Sequence, residues 1–279
     1  MGGLGNQLFQ IFTTIAYAIK TQQPFKFYDI AILESSCTTR YTYWNSFLKN
    51  LKPFLTTDFP GMVCIKEEGF HYTDIQSKIL NNENSFLFGY FQSYKYFEKE
   101  FYAICKMIKL EEIRKQVLTK SGYSNEQEKL ANTITLHFRI GDYKKLPDVY
   151  PILNHSYYEN ALLYIQGSTI TEKNVLFFCE DDDLEDALEI IDNLKTKFDK
   201  YTFIRADNQL EDWEQMILMS SCRYNVIANS TFSWWAAYFN NHSKKIVIYP
   251  STWFGPNSPH DTKDLFPSTF IHLIYYIHL

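Results

Sequence analysis

His137, Arg139 and Asp142 stand together in "LHFRIGDYKKLPD", at and just past the end of an apolar run. Strand alternation sends His137 and Arg139 to one side, and Gly141 lets the backbone turn sharply after them. A guanidinium fixed at a strand end suits an oxyanion such as a diphosphate. The same residues would equally make a buried Arg–Asp pair bracing a loop, and spacing alone leaves both readings open. A second polar cluster, Asn229, Ser230, Thr231 and Ser233 in "NVIANSTFSWWAAYFN", straddles a strand end and a helix start. Ser230 or Thr231 can cap that helix, and the remaining N–H groups of its first turn favour a phosphate. A plainly capped core helix is the alternative. The third cluster is Glu180, Asp181, Asp182 and Asp183 in "FFCEDDDLEDALEI". A divalent ion holding a nucleotide diphosphate is one use for it. Acids meeting the positive end of a helix explain it with less, and that reading is preferred. The histidines are scattered without ligand-like spacing, and no nucleophile elbow or Walker loop is present.

These side chains need strand ends to hold them. "TITLHF", "NVLFFC", "YTFIRA", "NVIANS" and "KIVIYP" read as apolar strands separated by helical stretches. That rhythm predicts a parallel sheet covered on both faces, with ligands beyond the carboxyl ends of its strands. The helix "SYYENALLYIQ" carries Ser156 and Glu159 at capping-box spacing. The helix "EDWEQMILMSSCRY" sets Trp213, Met216, Ile217, Ser220 and Tyr224 on one face. The first half is less regular. "GGLGNQLFQ" leads into a helix with Leu8, Phe9, Phe12, Ile15, Ala16 and Ile19 at helical spacing, and "FKFYDIAIL" reads as a strand. "FLFGYFQSYKYFEKEFYAICKMI" reads as strand, turn and then helix from about Lys95. The polar stretch "TKSGYSNEQEKLANT" predicts a linker. Boundaries follow at 1–125 for a first domain, 126–260 for a second, and 261–279 for a segment returning to the first.

The 279 residues carry a net charge of −5, with Lys and Arg spread along the chain. That argues against a nucleic-acid partner bound by broad phosphate neutralisation. Five widely spaced cysteines, Cys37, Cys64, Cys105, Cys179 and Cys222, read as free thiols in a reducing, cytoplasmic setting. No signal peptide or bilayer-spanning apolar run stands out, so no transmembrane segment is expected. The 23 Phe and 21 Tyr read chiefly as packing.

"GGLGNQLFQ", "GYFQSYKYF", "LHFRIGDYK", "EDWEQMILMSSCRYNVIANSTFSWWAAYFN" and "HDTKDLFPSTF", in this order, resemble the α-1,2-fucosyltransferase family over nearly the whole chain. The resemblance implies an α/β fold of two Rossmann-like domains in a GT-B-like arrangement. It implies inverting transfer of L-fucose from GDP-fucose to the 2-hydroxyl of a terminal sugar, usually galactose, without an obligatory metal or other cofactor. The partners would be a nucleotide-sugar donor and a glycan acceptor, and a lipid-linked acceptor would bring the chain to a membrane surface. Arg139 would grip the donor diphosphate beside His137, with Asp142 as candidate base or as the group orienting Arg139. Asn229, Ser230, Thr231 and Ser233 would line the nucleotide side. Gly5, Asn6 and Gln7 would face the transferring sugar across a cleft. Glu180 and Asp181 fall where the family has an "FSDD"-like stretch. The family's "HxRRGD" block departs here at Ile140, where a second arginine is expected; Lys144 or Lys145 could replace that charge only if the loop folds back. A related transferase for another nucleotide-deoxyhexose, such as a rhamnose donor, is the alternative. A non-catalytic glycan-binding protein is a more distant one.

Overall fold

The computed structural model describes residues 1–33, 39–58, 60–75, 84–168 and 173–274. Cys37 and the last five positions of the C-terminal segment lie outside them. The chain divides into two compact units, Met1–Ile113 with His260–Pro267, and Arg114–Pro259 with Ser268–Leu279. The division falls inside a helix rather than in the polar stretch expected to be a linker. Arg114 shows why. Its guanidinium is buried and donates to Ser220 Oγ at 2.7 Å, Ser221 Oγ at 3.1 Å and the Phe239 carbonyl at 2.9 Å, all within the second unit.

In the first unit, α1 (Leu4–Thr21) buries most of the stripe expected from its spacing, with Leu8, Phe9, Phe12 and Ile15 fully enclosed, but leaves Ile19 near its C-terminal end exposed. Phe97 packs against Phe9 and Phe12 at ring separations of 5.9 and 5.6 Å, so the aromatics here are core. "FKFYDIAIL" is no single strand. It breaks into β1 (Phe27–Tyr28) and β2 (Ile32–Leu33), paired with β4 (Leu55–Thr56) and β3 (Arg40–Tyr41) respectively. β5 (Val63–Lys66) and β6 (Ser85–Phe88) form a third pair. The helix expected from Lys95 is only a 3-10 turn at Tyr94–Tyr96, and α2 (Phe101–Met107) follows it. Asp264 ties 260–267 to this unit, accepting from Lys95 Nζ at 2.5 Å and from the Tyr72 amide at 3.1 Å.

The second unit follows its apolar rhythm. After α3 (Leu110–Lys120) and α4 (Gln127–Ala131) come β7 (Thr133–His137), α5 (His155–Ser168), β8 (Asn174–Phe178), α6 (Leu184–Lys197) and β9 (Thr202–Arg205). Then follow α7 (Asp212–Ser220), β10 (Tyr224–Val226), α8 (Thr231–Phe239), β11 (Ile246–Pro250) and β12 (Ile271–Leu273). The sheet order is β12-β11-β10-β7-β8-β9, and every pairing is parallel. In chain order that is 3-2-1-4-5-6, the doubly wound arrangement, whose direction reverses between its first and fourth strands, β7 and β10. β12 was not anticipated: Ile271–Leu273 forms an edge strand of this sheet. α5 is capped by Asn154, whose Oδ1 accepts from the Tyr157 amide at 3.3 Å, not by Ser156. Glu159 is drawn instead to Lys197 and to His155, at 3.4 Å from the latter. Buried Tyr157 and Tyr158 reach the strand ends with their hydroxyls, donating to the Ile227 carbonyl at 2.6 Å and the His137 carbonyl at 3.0 Å.

Candidate active site

The site forms where the second unit's sheet reverses. β7 is buried along its length and delivers His137 at its carboxyl end; β10 lies beside it and runs into Ala228, Asn229 and Ser230. Beneath them Asn225 fixes the spacing of the two strands. Its Nδ2 donates to Thr135 Oγ1 and to the Met219 carbonyl, each at 2.9 Å, and its Oδ1 accepts from Asn240 Nδ2 at 2.7 Å.

Arg139 lies between the end of β7 and a 3-10 turn (Gly141–Lys145), and its side chain is 18% exposed. Nη1 donates to Glu180, and Nη2 donates to Asp142 Oδ1 at 2.6 Å. The guanidinium carbon lies 5.2 Å from the Tyr143 ring centre. Burial opposes its charge, but Glu180 and Asp142 outweigh burial and raise its pKa. Tyr143 fixes the turn to the neighbouring strand end through its hydroxyl, which donates to the Asn229 carbonyl at 2.9 Å, while its ring stacks on Tyr150. Gly141 is needed here because its amide donates to the buried Asp183 carboxylate at 2.8 Å, and a Cβ would lie 3.1 Å from Glu180.

His137 is buried, and its Nδ1 has no hydrogen-bond partner. Burial first, then the charge of Arg139, lowers its pKa to about 3. At neutral pH it is therefore an uncharged hydrogen-bonding group rather than a second cation. Its ring lies 5.2 Å from that of Phe232 in α8. Ser230 is the cap of α8, accepting from the Phe232 amide at 3.3 Å. Asn229 is buried; its Nδ2 donates to the Pro151 and Trp253 carbonyls and its Oδ1 has no partner. Thr231 is half-buried in the first turn. Ser233 turns inward, donating to the Ala228 and Ser230 carbonyls, so its hydroxyl is used in holding the helix start. The backbone amides of α8's first turn remain the anion-facing feature of this stretch.

Asp181 does not join Arg139. It pairs with Arg205 and Asn208 at the end of β9, and Arg205 first, then Asn208, lowers its pKa. Lys144 is bound to Asp186 at 2.7 Å, and Ile140 is buried in the core, so neither supplies the expected second positive charge. Tyr143, within the "RIGDYK" block, was missed; Asp183 was named only as one acid of the run before a helix, and it holds the Gly141 amide.

The glycine stretch belongs to the first unit. Gly5, Asn6 and Gln7 lie in the first turn of α1 rather than in a loop. Gly2 makes the entry turn, with φ of 77° and a Cβ position only 2.5 Å from Asn6 Nδ2. Gln7 is buried, donating to the Gly2 and Tyr41 carbonyls at 3.0 and 2.9 Å, so its amide holds the chain rather than facing a sugar. Asn6 Oδ1 accepts from Gln92 Nε2 at 3.0 Å.

Among the described residues, no group of three or more His, Cys, Asp or Glu could hold a metal ion, and no helix is long and apolar enough to cross a membrane. Cys64, Cys105, Cys179 and Cys222 are thiols rather than halves of a disulfide.

A doubly wound sheet with a guanidinium and a capped helix start at its reversal point has the form of a nucleotide-binding α/β protein. The chain belongs to glycosyl transferase family 11, which it matches over residues 4–270. It is a glycosyltransferase acting on a nucleotide-sugar donor. It is similar to an alpha-1,2-colitosyltransferase of Escherichia coli, 25% identical over 273 residues, 91% of this chain and 90% of the relative. It is also similar to the O-antigen biosynthesis glycosyltransferase WbnK of Escherichia coli, 34% identical over 131 residues, 46% of this chain and 41% of the relative. Among solved structures, the E. coli ADP-heptose lps heptosyltransferase II aligns with a TM-score of 0.39 at 17% identity, covering 58% of this chain and 43% of that one.

Proposed function

We propose that this chain transfers L-fucose from GDP-fucose, with inversion, to the 2-hydroxyl of a terminal sugar, galactose being the expected acceptor. The observation that carries the reading is that Arg139 follows the end of β7 and lies over the ring of Tyr143, whose hydroxyl donates to the Asn229 carbonyl just before the capped start of α8, in a family 11 chain. Cleaving the sugar–phosphate bond builds negative charge on the departing diphosphate. Arg139 and the first-turn amides of α8 stabilise that charge from fixed positions, and this is where catalysis is supplied. His137, neutral, contributes a hydrogen bond to the donor. Asn229, Ser230 and Ser233 shape the helix start rather than each binding the nucleotide.

Asp142 acts here by orienting Arg139. An inverting base must approach the face of the anomeric carbon opposite the leaving group, whereas Asp142 is bound to the guanidinium that holds the leaving group. In the first unit Asn6 is the residue of the glycine stretch assigned to the sugar. A GT-B-like arrangement of both units and a cytoplasmic setting belong to the same proposal; the doubly wound sheet supports the first and the free thiols support the second.

A second reading is favoured by the relative matched along nearly its whole length, whose name specifies colitose. Colitose is the 3-deoxy counterpart of L-fucose, so a donor carrying it would need the same diphosphate clamp and a different sugar contact. The test is to measure thermal stabilisation by a panel of GDP-, UDP- and dTDP-sugars, then to incubate the stabilising donor with galactosides and determine the product linkage by NMR. GDP-fucose and an α-1,2 product support the reading. Stabilisation and turnover with the colitosyl donor alone would replace it with the second, and stabilisation by UDP- or dTDP-sugars alone would refute both.

A further inference from the structure

Arg139 is held by two carboxylates at once, Glu180 on Nη1 and Asp142 on Nη2. The neighbouring cations are engaged elsewhere, Lys144 with Asp186 and Arg205 with Asp181, and Ile140 adds no charge. A diphosphate reaching this guanidinium therefore meets two negative groups already bonded to the same cation. Like charges at such range repel strongly even at the effective dielectric of a protein surface, so one carboxylate has to withdraw. The two differ in how readily they can. Asp142 is short and sits three residues after Arg139, in the turn that follows it. Glu180 comes from a different element, is 59% exposed, and has a longer side chain that reaches water by rotating. Its side chain also makes no capping hydrogen bond to the turn that follows it, so its departure breaks no backbone contact there.

We propose that Glu180 is a competing anion at the donor site. It occupies Arg139 until a nucleoside diphosphate displaces it, and so holds donor affinity below what Arg139 would otherwise give. The same side chain, returning to the guanidinium as the diphosphate departs, assists product release. The role is opposite in sign to that of a donor-binding residue. It rests on Arg139 being the diphosphate clamp, and the experiment separates the two.

The experiment titrates GDP, and separately inorganic pyrophosphate, into the wild-type protein and into Glu180→Gln, Glu180→Ala and Arg139→Ala, with melting curves to verify folding. Removing a competing charge at an exposed site is expected to tighten both probes about two- to fivefold in both Glu180 variants. Arg139→Ala is expected to weaken both probes. If Arg139→Ala weakens them while the Glu180 variants bind no more tightly than wild type, the clamp stands and the competitor role is overturned. If the Glu180 variants lose GDP affinity but keep pyrophosphate affinity, Glu180 is a ribose ligand and the proposal is equally overturned. If Arg139→Ala binds both probes as well as wild type, the clamp itself fails and the inference falls with it.

Discussion

Replacing Ile140 with arginine restores the family's residue pattern, and in this chain it is expected to do harm. Ile140 is 4% exposed and belongs to the core cluster that includes Leu153, Tyr158 and Phe177. Losing that buried side chain costs about 2–3 kcal/mol. A guanidinium left there among apolar groups costs several kcal/mol more, because the nearby carboxylates serve other donors. The sum, at least about 4 kcal/mol, is a large share of the 5–15 kcal/mol that typically holds a fold together. Ile140→Val, which keeps the shape and removes one methyl, is expected to cost only about 0.5–1.5 kcal/mol. Urea unfolding followed by fluorescence measures both variants, and titration with GDP shows whether the new charge reaches the diphosphate. An Ile140→Arg protein within about 1 kcal/mol of wild type, binding GDP more tightly, would refute the placement of this side chain in the core.

Other consequences follow from the same geometry. Asn225→Leu removes one of two partners from the Asn240 amide and from the Met219 carbonyl, which keep the Cys222 carbonyl and amide respectively, and should cost about 1–3 kcal/mol by denaturant titration. His137, neutral in the fold with a pKa of about 3, takes up its proton in the unfolded chain near 6.5. Between those values the unfolded state binds more protons, so stability falls with falling pH by up to about 1.4 kcal/mol per unit. In His137→Asn that contribution is lost, and the difference between the two unfolding-versus-pH curves measures it. Asp142→Asn should retain turnover within about tenfold, consistent with the loss of one ion pair, and leave the pH profile of kcat unshifted. Loss of the acid-side limb of activity, together with a much larger fall in kcat, would instead make Asp142 the base.

The second unit was legible because each of its strands is an apolar run bounded by turns and each helix has its own period. A buried parallel sheet imposes both. That polar groups stand beyond the strand ends followed from where "LHF" and "NVIANS" end, and Ser230 was among the caps expected; the strand order was not read from the sequence. The first unit was less legible because its described strands are short and paired in twos, so no alternation accumulates. Its aromatics follow contacts such as Phe12 on Phe97 rather than a repeat. Side-chain roles were the least legible. Asn154 rather than Ser156 caps α5 because the helix begins two residues earlier than its apolar period suggests. Gln7 is turned into the fold by carbonyls distant in sequence, one of them at Tyr41. No local pattern could show that Glu180 lies against Arg139, forty-one residues away.

The central claim is that Arg139 stabilises the departing diphosphate, and the turnover number of Arg139→Ala tests it most directly. Arg139 is bonded to exposed carboxylates that water can hydrate once it is gone, so its removal should lower stability by no more than about 1 kcal/mol. Removing a preorganised donor from developing negative charge should lower kcat by about 10²–10³-fold. A folded Arg139→Ala protein with kcat reduced to that extent is the predicted result, and a folded one turning over at the wild-type rate would contradict it.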